Sequence, residues 1–539
     1  MVAGAPQDTA LASEAYRRKL WVHTTLADSL RTAAEMSPRR IVLVDKDIRL
    51  GCATLYAQAS ALAAALLARV PTGSVVSFML PNWHEAAVIY LAATLAGMVV
   101  NPILPSLRDH DLRFILEDAN TAMIFVPGQY GGHDYARMLE RVTAAMSPAP
   151  AVVVVRGDAG PHTPYPTLLE PPRDATLPAL DPDSVRMILY TSGTTSRPKG
   201  VLHTHNSIHA LICQIRDHWT VEPGDTFLVP SPVAHIGGSI YAFECPVLLG
   251  TTAVLMDRWD PSEAVALMDA QRCTHMAGAT PFLQQLLAAA ERTQTHLPDL
   301  KVFICGGASV SPSLIRRAAQ YFDHAVVTRV YGCTEVPVAT VGAPGPDEAD
   351  RAADTDGRPG IAEIKLVPHE AAPAGDGEIC VRGPQMLLGY RHPEDGADSF
   401  DPAGFFRTGD LGRWVSAGSD DRYLVVTGRA KDIIIRSGEN ISAKEVEDLL
   451  ADHPGIAEIA VVGLPDPRTG ERACAVIVPA GTANPDVASL LALLVSKGVA
   501  KFKAPEQVVI ADALPKNDAG KVLKHQIRAS LTHAQTKDG

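Results

Sequence analysis

Residues 191–204 read TSGTTSRPKGVLHT. Thr191, Ser192, Thr194, Thr195 and Ser196 bring hydroxyl donors, Gly193 and Gly200 let backbone N–H groups turn inward, and Lys199 adds a positive charge. That is the chemistry of a polyphosphate cradle. A solvated polar loop is the plainer reading, but the run directly follows Val185-Arg186-Met187-Ile188-Leu189-Tyr190, a mostly apolar stretch that reads as a buried strand. Strand-to-loop junctions are where α/β folds bind nucleotides. The common P-loop is excluded, because Pro198 stands where that motif requires its second glycine before Lys-Ser/Thr.

Four further stretches carry the same kind of chemistry: Tyr331-Gly332-Cys333-Thr334-Glu335, Arg407-Thr408-Gly409-Asp410, Gly428-Arg429-Ala430-Lys431-Asp432, and Pro515-Lys516-Asn517-Asp518-Ala519-Gly520-Lys521. Each alone is ordinary turn chemistry, since a Glu after a turn is usually solvated and Gly-Asp is usually just a turn. In this order after the phosphate loop, the chain resembles the adenylate-forming superfamily of acyl-CoA synthetases, peptide-synthetase adenylation domains and luciferases. The resemblance runs from about Leu26 to Arg528.

The resemblance implies a two-step reaction with ATP, Mg²⁺ and coenzyme A. A carboxylate first attacks the α-phosphate of ATP to give an acyl-adenylate and pyrophosphate, and a thiol then displaces AMP to leave a thioester. It also implies roles. Thr191, Ser192, Gly193, Thr194, Thr195 and Lys199 hold the β- and γ-phosphates, while Thr334 and Glu335 meet the α-phosphate and the Mg²⁺ ion, a hard cation that takes oxygen ligands. Tyr331 and Gly332 belong to the same nucleotide segment, and Gly306-Gly307-Ala308 lies flat against adenine. Asp410 accepts from both ribose hydroxyls with Arg429 in support, and Lys521 is the charge clamp between carboxylate and α-phosphate in the first transition state. Lys431, two residues after the ribose arginine, matches the hinge about which relatives rotate a C-terminal domain. Ser196 departs from the pattern, which has glycine there; if the site needs φ > 0, serine costs about 1 kcal/mol.

The elements that must position these residues are legible as patterns. From about Leu26 to Val341, helical stretches such as Leu55 to Val70 alternate with short apolar runs at Val75–Met79, Ala122–Val126, Val152–Val155 and Lys301–Ile304, which predicts mainly parallel sheets covered by helices. The apolar run Ala86 to Val100 is shorter than the roughly 20 residues of a membrane span and reads as a buried helix. From Gly377 strand-like runs at Glu378–Val381 and Tyr423–Val426 predict a small β-rich subdomain. After Lys431 the pattern restarts as a compact α+β unit: a strand at Ile433–Ile435, a capping box Ser442-Ala443-Lys444-Glu445 opening a helix, and strands at Ile459–Val462 and Ala475–Val478. The expectation is an α/β chain with a large N-terminal adenylation domain over 1–430, comprising helix-covered sheets and the β-rich subdomain. A small mobile α+β lid follows over 431–539, carrying Lys521.

Composition narrows the partners. With 48 basic and 60 acidic residues, net −12, the chain has no general attraction for nucleic acid or anionic lipid. Its eight cysteines are scattered without a C-x-x-C pair, as core thiols of a reducing cytosol would be, and no secretory signal is visible. A cytoplasmic enzyme of fatty-acid metabolism without stable membrane insertion is the expectation, with a homodimer left open.

The acid is read from Pro232-Val233-Ala234-His235-Ile236-Gly237-Gly238. His235 matches the aromatic-or-His position that flanks the acyl pocket in the resembled family. The next position carries Asp in amino-acid-activating relatives and Asn in hydroxybenzoate-activating ones; Ile236 offers no partner to an ammonium or phenol. An apolar acid is expected, aliphatic, alicyclic or a steroid or terpenoid fragment, with an arylcarboxylic acid as the alternative. Coenzyme A is the expected acceptor: no carrier domain or Gly-x-x-Ser-Leu attachment signal follows Lys521, and Ser437-Gly438 are small enough for a pantetheine tunnel. A free acyl carrier protein stays open as acceptor. A luciferase-like oxygenase would share the nucleotide motifs, but 5% aromatic residues give no hint of a luminophore pocket.

Overall fold

The computed structural model describes residues 9–170, 176–191, 197–307, 310–345, 347–370, 372–373, 375–416, 422–437, 439–481, 485–517 and 520–537. Ser192, Gly193, Thr194, Thr195, Ser196, Ala308 and Gly438, all singled out above, lie outside the described residues.

The short apolar runs form two large, mostly parallel sheets. One has eight strands, in the order Gly389–Tyr390, Lys199–Thr204, Val185–Thr191, Val99–Pro102, Val75–Phe78, Thr121–Val126, Ala151–Val154 and Thr163–Pro164. The other has seven, with Thr226–Val229, His275–Gly278, Val302–Cys305 and Val326–Arg329 running parallel. Helices Cys52–Leu67 and His84–Leu95 pack against each other within the main core. Every residue from Glu85 to Leu95 is buried, which is why the sequence there is apolar all round rather than on one stripe.

The single buried helix expected over Ala86–Val100 is two elements. The chain passes Gly97 at φ +67°, in the left-handed region, and continues as the strand Val99–Pro102. The glycine supplies a turn that any other residue would make at a cost, so the apolar run is cut there.

A four-stranded antiparallel sheet follows, ordered Glu363–Val367, Gly377–Arg382, Phe406–Ser416 and Arg422–Arg429. Its last ladder sets Asp410 directly opposite Arg429, so two motifs nineteen residues apart in sequence become one cross-strand pair. The remaining sheet joins Glu439–Ser442, Ile433–Arg436, Gly470–Pro479 and Ile456–Asp466, with Gln507–Ile510 parallel to the third. Two apolar clusters on the faces of this sheet draw only on residues from Ile434 onward. The capping box is half formed: Ser442 Oγ accepts from the Glu445 N–H, but the Glu445 carboxylate turns away to take Lys503 Nζ at 2.7 Å on both oxygens.

Arg186, the one charge in the apolar strand before the phosphate loop, is buried. Its Nη2 donates to Glu244 Oε1 at 2.8 Å and its Nη1 to Tyr90 Oη at 2.8 Å, and Tyr90 Oη donates in turn to the same carboxylate. Glu244 ends a single π-helical turn, Ile240–Glu244. Both members of the pair are about 1% exposed, so each exists as an ion only because the other does.

Candidate active site

A cleft of about 1640 Å³ runs between the strands of the four-stranded sheet, the ends of the seven-stranded sheet and the C-terminal unit. Gly307, Tyr331, Gly332, Asp410, Arg429, Lys431 and Lys521 all line it. Motifs spread along the chain from Gly307 to Lys521 therefore meet in one place, most of them set on the end of a strand or in the turn that follows it.

The centre is the Asp410 carboxylate. Arg429 Nε stands 2.7 Å from Oδ1, and Tyr331 Oη donates to Oδ2 at 2.8 Å. Burial first, then the charge of Asp410, pushes the Tyr331 hydroxyl well above its ordinary range, so it remains a donor. The two carboxylate oxygens are thus held at fixed orientation, with lone pairs left to accept a pair of neighbouring hydroxyls.

Gly307 sits at φ +81° with no atom within 4 Å of where a Cβ would stand. The backbone there is an open, flat surface facing the cleft, suited to a planar ring; a side chain would both strain the turn and fill the space. Gly306 is closed on its own side, since its Cβ would lie 2.9 Å from Val330 Cγ2.

Lys521 reaches the cleft from a tight loop. Asn517 N–H donates to the Lys521 carbonyl at 2.9 Å and Asn517 Oδ1 accepts from Lys521 N–H at 2.8 Å, while Gly520 at φ +78° brings the loop against Pro281. The ammonium has no ion-pair partner among the described residues, although the side chain keeps access to solvent. Desolvation, then the positive charge of Arg429, lowers its pKa from the ordinary lysine value. Lys431 is lowered for the same two reasons in the same order. The Asp410 and Asp432 carboxylates act in the opposite direction on both lysines, so the cations and carboxylates are interleaved along this side of the cleft.

Thr334 and Glu335 are gripped from two sides. The Leu387 N–H donates to the Glu335 carbonyl at 2.7 Å, and Tyr390 Oη donates to Glu335 Oε1 at 2.9 Å. His203 Nε2 donates to the Thr334 carbonyl at 2.8 Å, with Ser207 Oγ 3.2 Å from its Nδ1. Lys199 Nζ donates to the Asp395 carbonyl at 2.8 Å, and Thr191 closes the strand Val185–Thr191. His235 caps the short helix Ile236–Ser239; its Nε2 is buried without a partner among the described residues, and Gly237 beside it faces open space.

Sequence patterns missed two of these contributors. His203 sits near the end of the run read as a phosphate cradle, with no role assigned to it, and Tyr390 lies 55 positions from the Glu335 it holds. Only the Gly-Tyr before a polar loop marked the last, and that signal is too common to stand alone. Cys333 also departs from expectation: it is partly exposed, whereas the other seven cysteines are buried.

His203 carries a measurable consequence. Burial pushes its imidazole down to about 4 from an unfolded value of 6.5, partly offset by the Thr334 carbonyl. Because the folded value lies below the unfolded one, its contribution to stability is complete above pH 6.5 and is lost as pH falls through about 4, roughly 3 kcal/mol in all. Burial lowers His205, His235 and His275 in the same direction. The urea midpoint is expected to fall steeply between pH 6.5 and pH 4; a midpoint constant over that range would mean that these imidazoles are not held neutral.

Residues 30–391 match the family model for AMP-binding enzymes, and residues 445–521 match that for the AMP-binding enzyme C-terminal domain. The chain belongs to the AMP-binding enzyme family. It is 35% identical to a medium-chain fatty-acid–CoA ligase of Escherichia coli (strain K12), over 97% of this chain and 94% of that protein. It is 32% identical to a salicylyl-CoA synthase / salicylate adenylyltransferase of Streptomyces sp, over 96% of each chain. Among solved structures, ATP-bound MatB from Rhodopseudomonas palustris superposes with a TM-score of 0.83 at 27% identity, covering 95% of this chain and 99% of that one. This AMP-binding enzyme is thus an ATP-dependent member of the adenylate-forming acyl- and aryl-CoA ligases. No helix among its described residues is long and apolar enough to cross a membrane.

Proposed function

We propose that this AMP-binding enzyme adenylates an apolar carboxylic acid and passes the acyl group to coenzyme A. The observation that carries the reading is Lys521, without an ion-pair partner among the described residues, in the cleft beside the Asp410–Arg429 pair, where a carboxylate and an α-phosphate would bring negative charge together. A carboxylate oxygen attacks the α-phosphorus as the bond to the β-phosphate breaks, and pyrophosphate leaves. The thiol sulfur then attacks the acyl carbon of the mixed anhydride, the bond to AMP breaks, and the thiol proton passes to solvent.

In this reading Asp410 and Arg429 hold ribose, Gly306 and Gly307 lie against adenine with Tyr331 and Gly332 closing the base site, and Thr334 meets the α-phosphate. Glu335 is the carboxylate that would hold Mg²⁺, with its Oε2 clear of the Tyr390 contact. That ion would neutralise phosphate charge during adenylation. Thr191 and Lys199 serve the outer phosphates, Lys199 after leaving the Asp395 carbonyl. The division of labour falls at the 430/431 junction: residues 1–430 bind ATP and acid, and residues 431–539 form a lid that turns about Lys431 to admit the thiol.

Ile236 and the open space beside Gly237 support an apolar acyl group, in keeping with the fatty-acid ligase among the relatives. An aryl acid is the second reading, favoured by the salicylate relative. Incubation with ATP, coenzyme A and a panel of acids, with thioesters read by mass spectrometry, tests both; no thioester from any aliphatic acid would overturn the first. Ile236→Asp is expected to lower kcat/KM for the best apolar acid by about a hundredfold, because an unpaired carboxylate would be desolvated against the chain. Unchanged kcat/KM would show that Ile236 does not line the acyl pocket.

A further inference from the structure

One residue touches both halves of the nucleotide site. Tyr390 lies on the short strand Gly389–Tyr390, which pairs antiparallel with Lys199–Thr204, the strand leaving the phosphate loop, with Val201 opposite Tyr390. On one side its hydroxyl donates to Glu335 Oε1 at 2.9 Å. On the other, the Lys199 ammonium stands 5.3 Å from its ring centroid. The Glu335 backbone is already fixed by the Leu387 N–H and, one residue earlier, by His203. What can still turn in a glutamate held this way is the carboxylate itself, and the Tyr390 hydroxyl holds one of its two oxygens.

We propose that Tyr390 is a positioning residue that occupies Glu335 Oε1 and so presents the single oxygen Oε2 to the divalent cation. This rests on the assignment of Glu335 as metal carboxylate. Mg²⁺ demands near-octahedral geometry at short distances and keeps several waters, so a carboxylate limited to one oxygen suits it, whereas a freely turning one can chelate with both and displace a water. The phenol can do this because it is only 6% exposed and its strand is paired to Lys199–Thr204, which fixes where the hydroxyl points. Because its strand is hydrogen-bonded to the one that bears Lys199, the metal carboxylate and the phosphate-loop lysine share one rigid support.

Tyr390→Phe tests this, since it keeps the ring under Lys199 and removes only the hydroxyl. Mn²⁺ binding in the presence of α,β-methylene-ATP, which cannot release pyrophosphate, is read by electron paramagnetic resonance. Mn²⁺ affinity is expected to fall about tenfold, with a matching rise in the free Mg²⁺ needed for half-maximal ATP–pyrophosphate exchange. Exchange is expected to recover as Mg²⁺ is raised towards saturation. Wild-type Mn²⁺ affinity in Tyr390→Phe would overturn the proposal, whether exchange were normal or uniformly reduced. Glu335→Gln separates the two levels: if it retains wild-type Mn²⁺ affinity, the metal assignment fails, and if it loses Mn²⁺ while Tyr390→Phe does not, only the role of Tyr390 fails.

Discussion

Lys521→Ala is expected to remove acyl-adenylate formation almost entirely, by at least about a thousandfold in ATP–pyrophosphate exchange, while leaving thioester formation from a supplied acyl-adenylate within a fewfold of wild type. The physical reason is timing. Negative charge gathers between carboxylate and α-phosphate only in the first half-reaction, and the unpaired ammonium in the cleft is placed to meet it there. Protonation gives a second reading of the same residue. Desolvation and Arg429 hold its pKa below the ordinary 10.5, so the ammonium is lost earlier as pH rises. Exchange should therefore decline on the alkaline side below the ordinary lysine range, and the second half-reaction should show no such limb. Equal losses in both half-reactions would remove Lys521 from this role.

The second large effect is expected at Lys431. The residue sits in one 3₁₀ turn, Ala430–Asp432, between the strand that ends at Arg429 and the strand that begins at Ile433. On the role proposed for Lys521, its place in the cleft is the arrangement that adenylates and a thiol needs a different one, so a lid that serves both steps would turn about a short connection such as this. A 3₁₀ turn has φ near that of proline, and Lys431→Pro therefore keeps the present arrangement and forbids a large change of φ. Adenylation should survive, and thioester formation should slow by about a hundredfold or more, an order-of-magnitude expectation for a blocked domain rotation. Two intact half-reactions in Lys431→Pro would place the pivot elsewhere or deny the rotation.

The alternation of helix and apolar strand was readable because each pattern records burial by its own sheet, and the two large sheets lie close to where the runs predicted them. Asp410 and Arg429 were readable as motifs, but their pairing was not: it depends on the register of an antiparallel ladder, which no local pattern specifies. Tyr390 and His203 escaped for a related reason. Their work is done through a hydroxyl and an imidazole aimed at residues 55 and 131 positions away, so nothing in their local sequence names the partner. The run Ala86–Val100 failed differently, since apolarity was correctly assigned to burial but a single glycine decided where one element became two.

The ion pair of Arg186 and Glu244 has a consequence for descent rather than for chemistry. Losing either partner leaves a bare charge in the core at about 3–5 kcal/mol, a large share of the roughly 5–15 kcal/mol that holds a typical domain together. Replacing both by apolar residues of similar volume is close to neutral. The two states are therefore neighbours in energy but separated by a valley of unstable single mutants. A lineage that has acquired this pair should retain it through long divergence, and where relatives differ, Arg186, Glu244 and Tyr90 should be found exchanged together rather than one at a time.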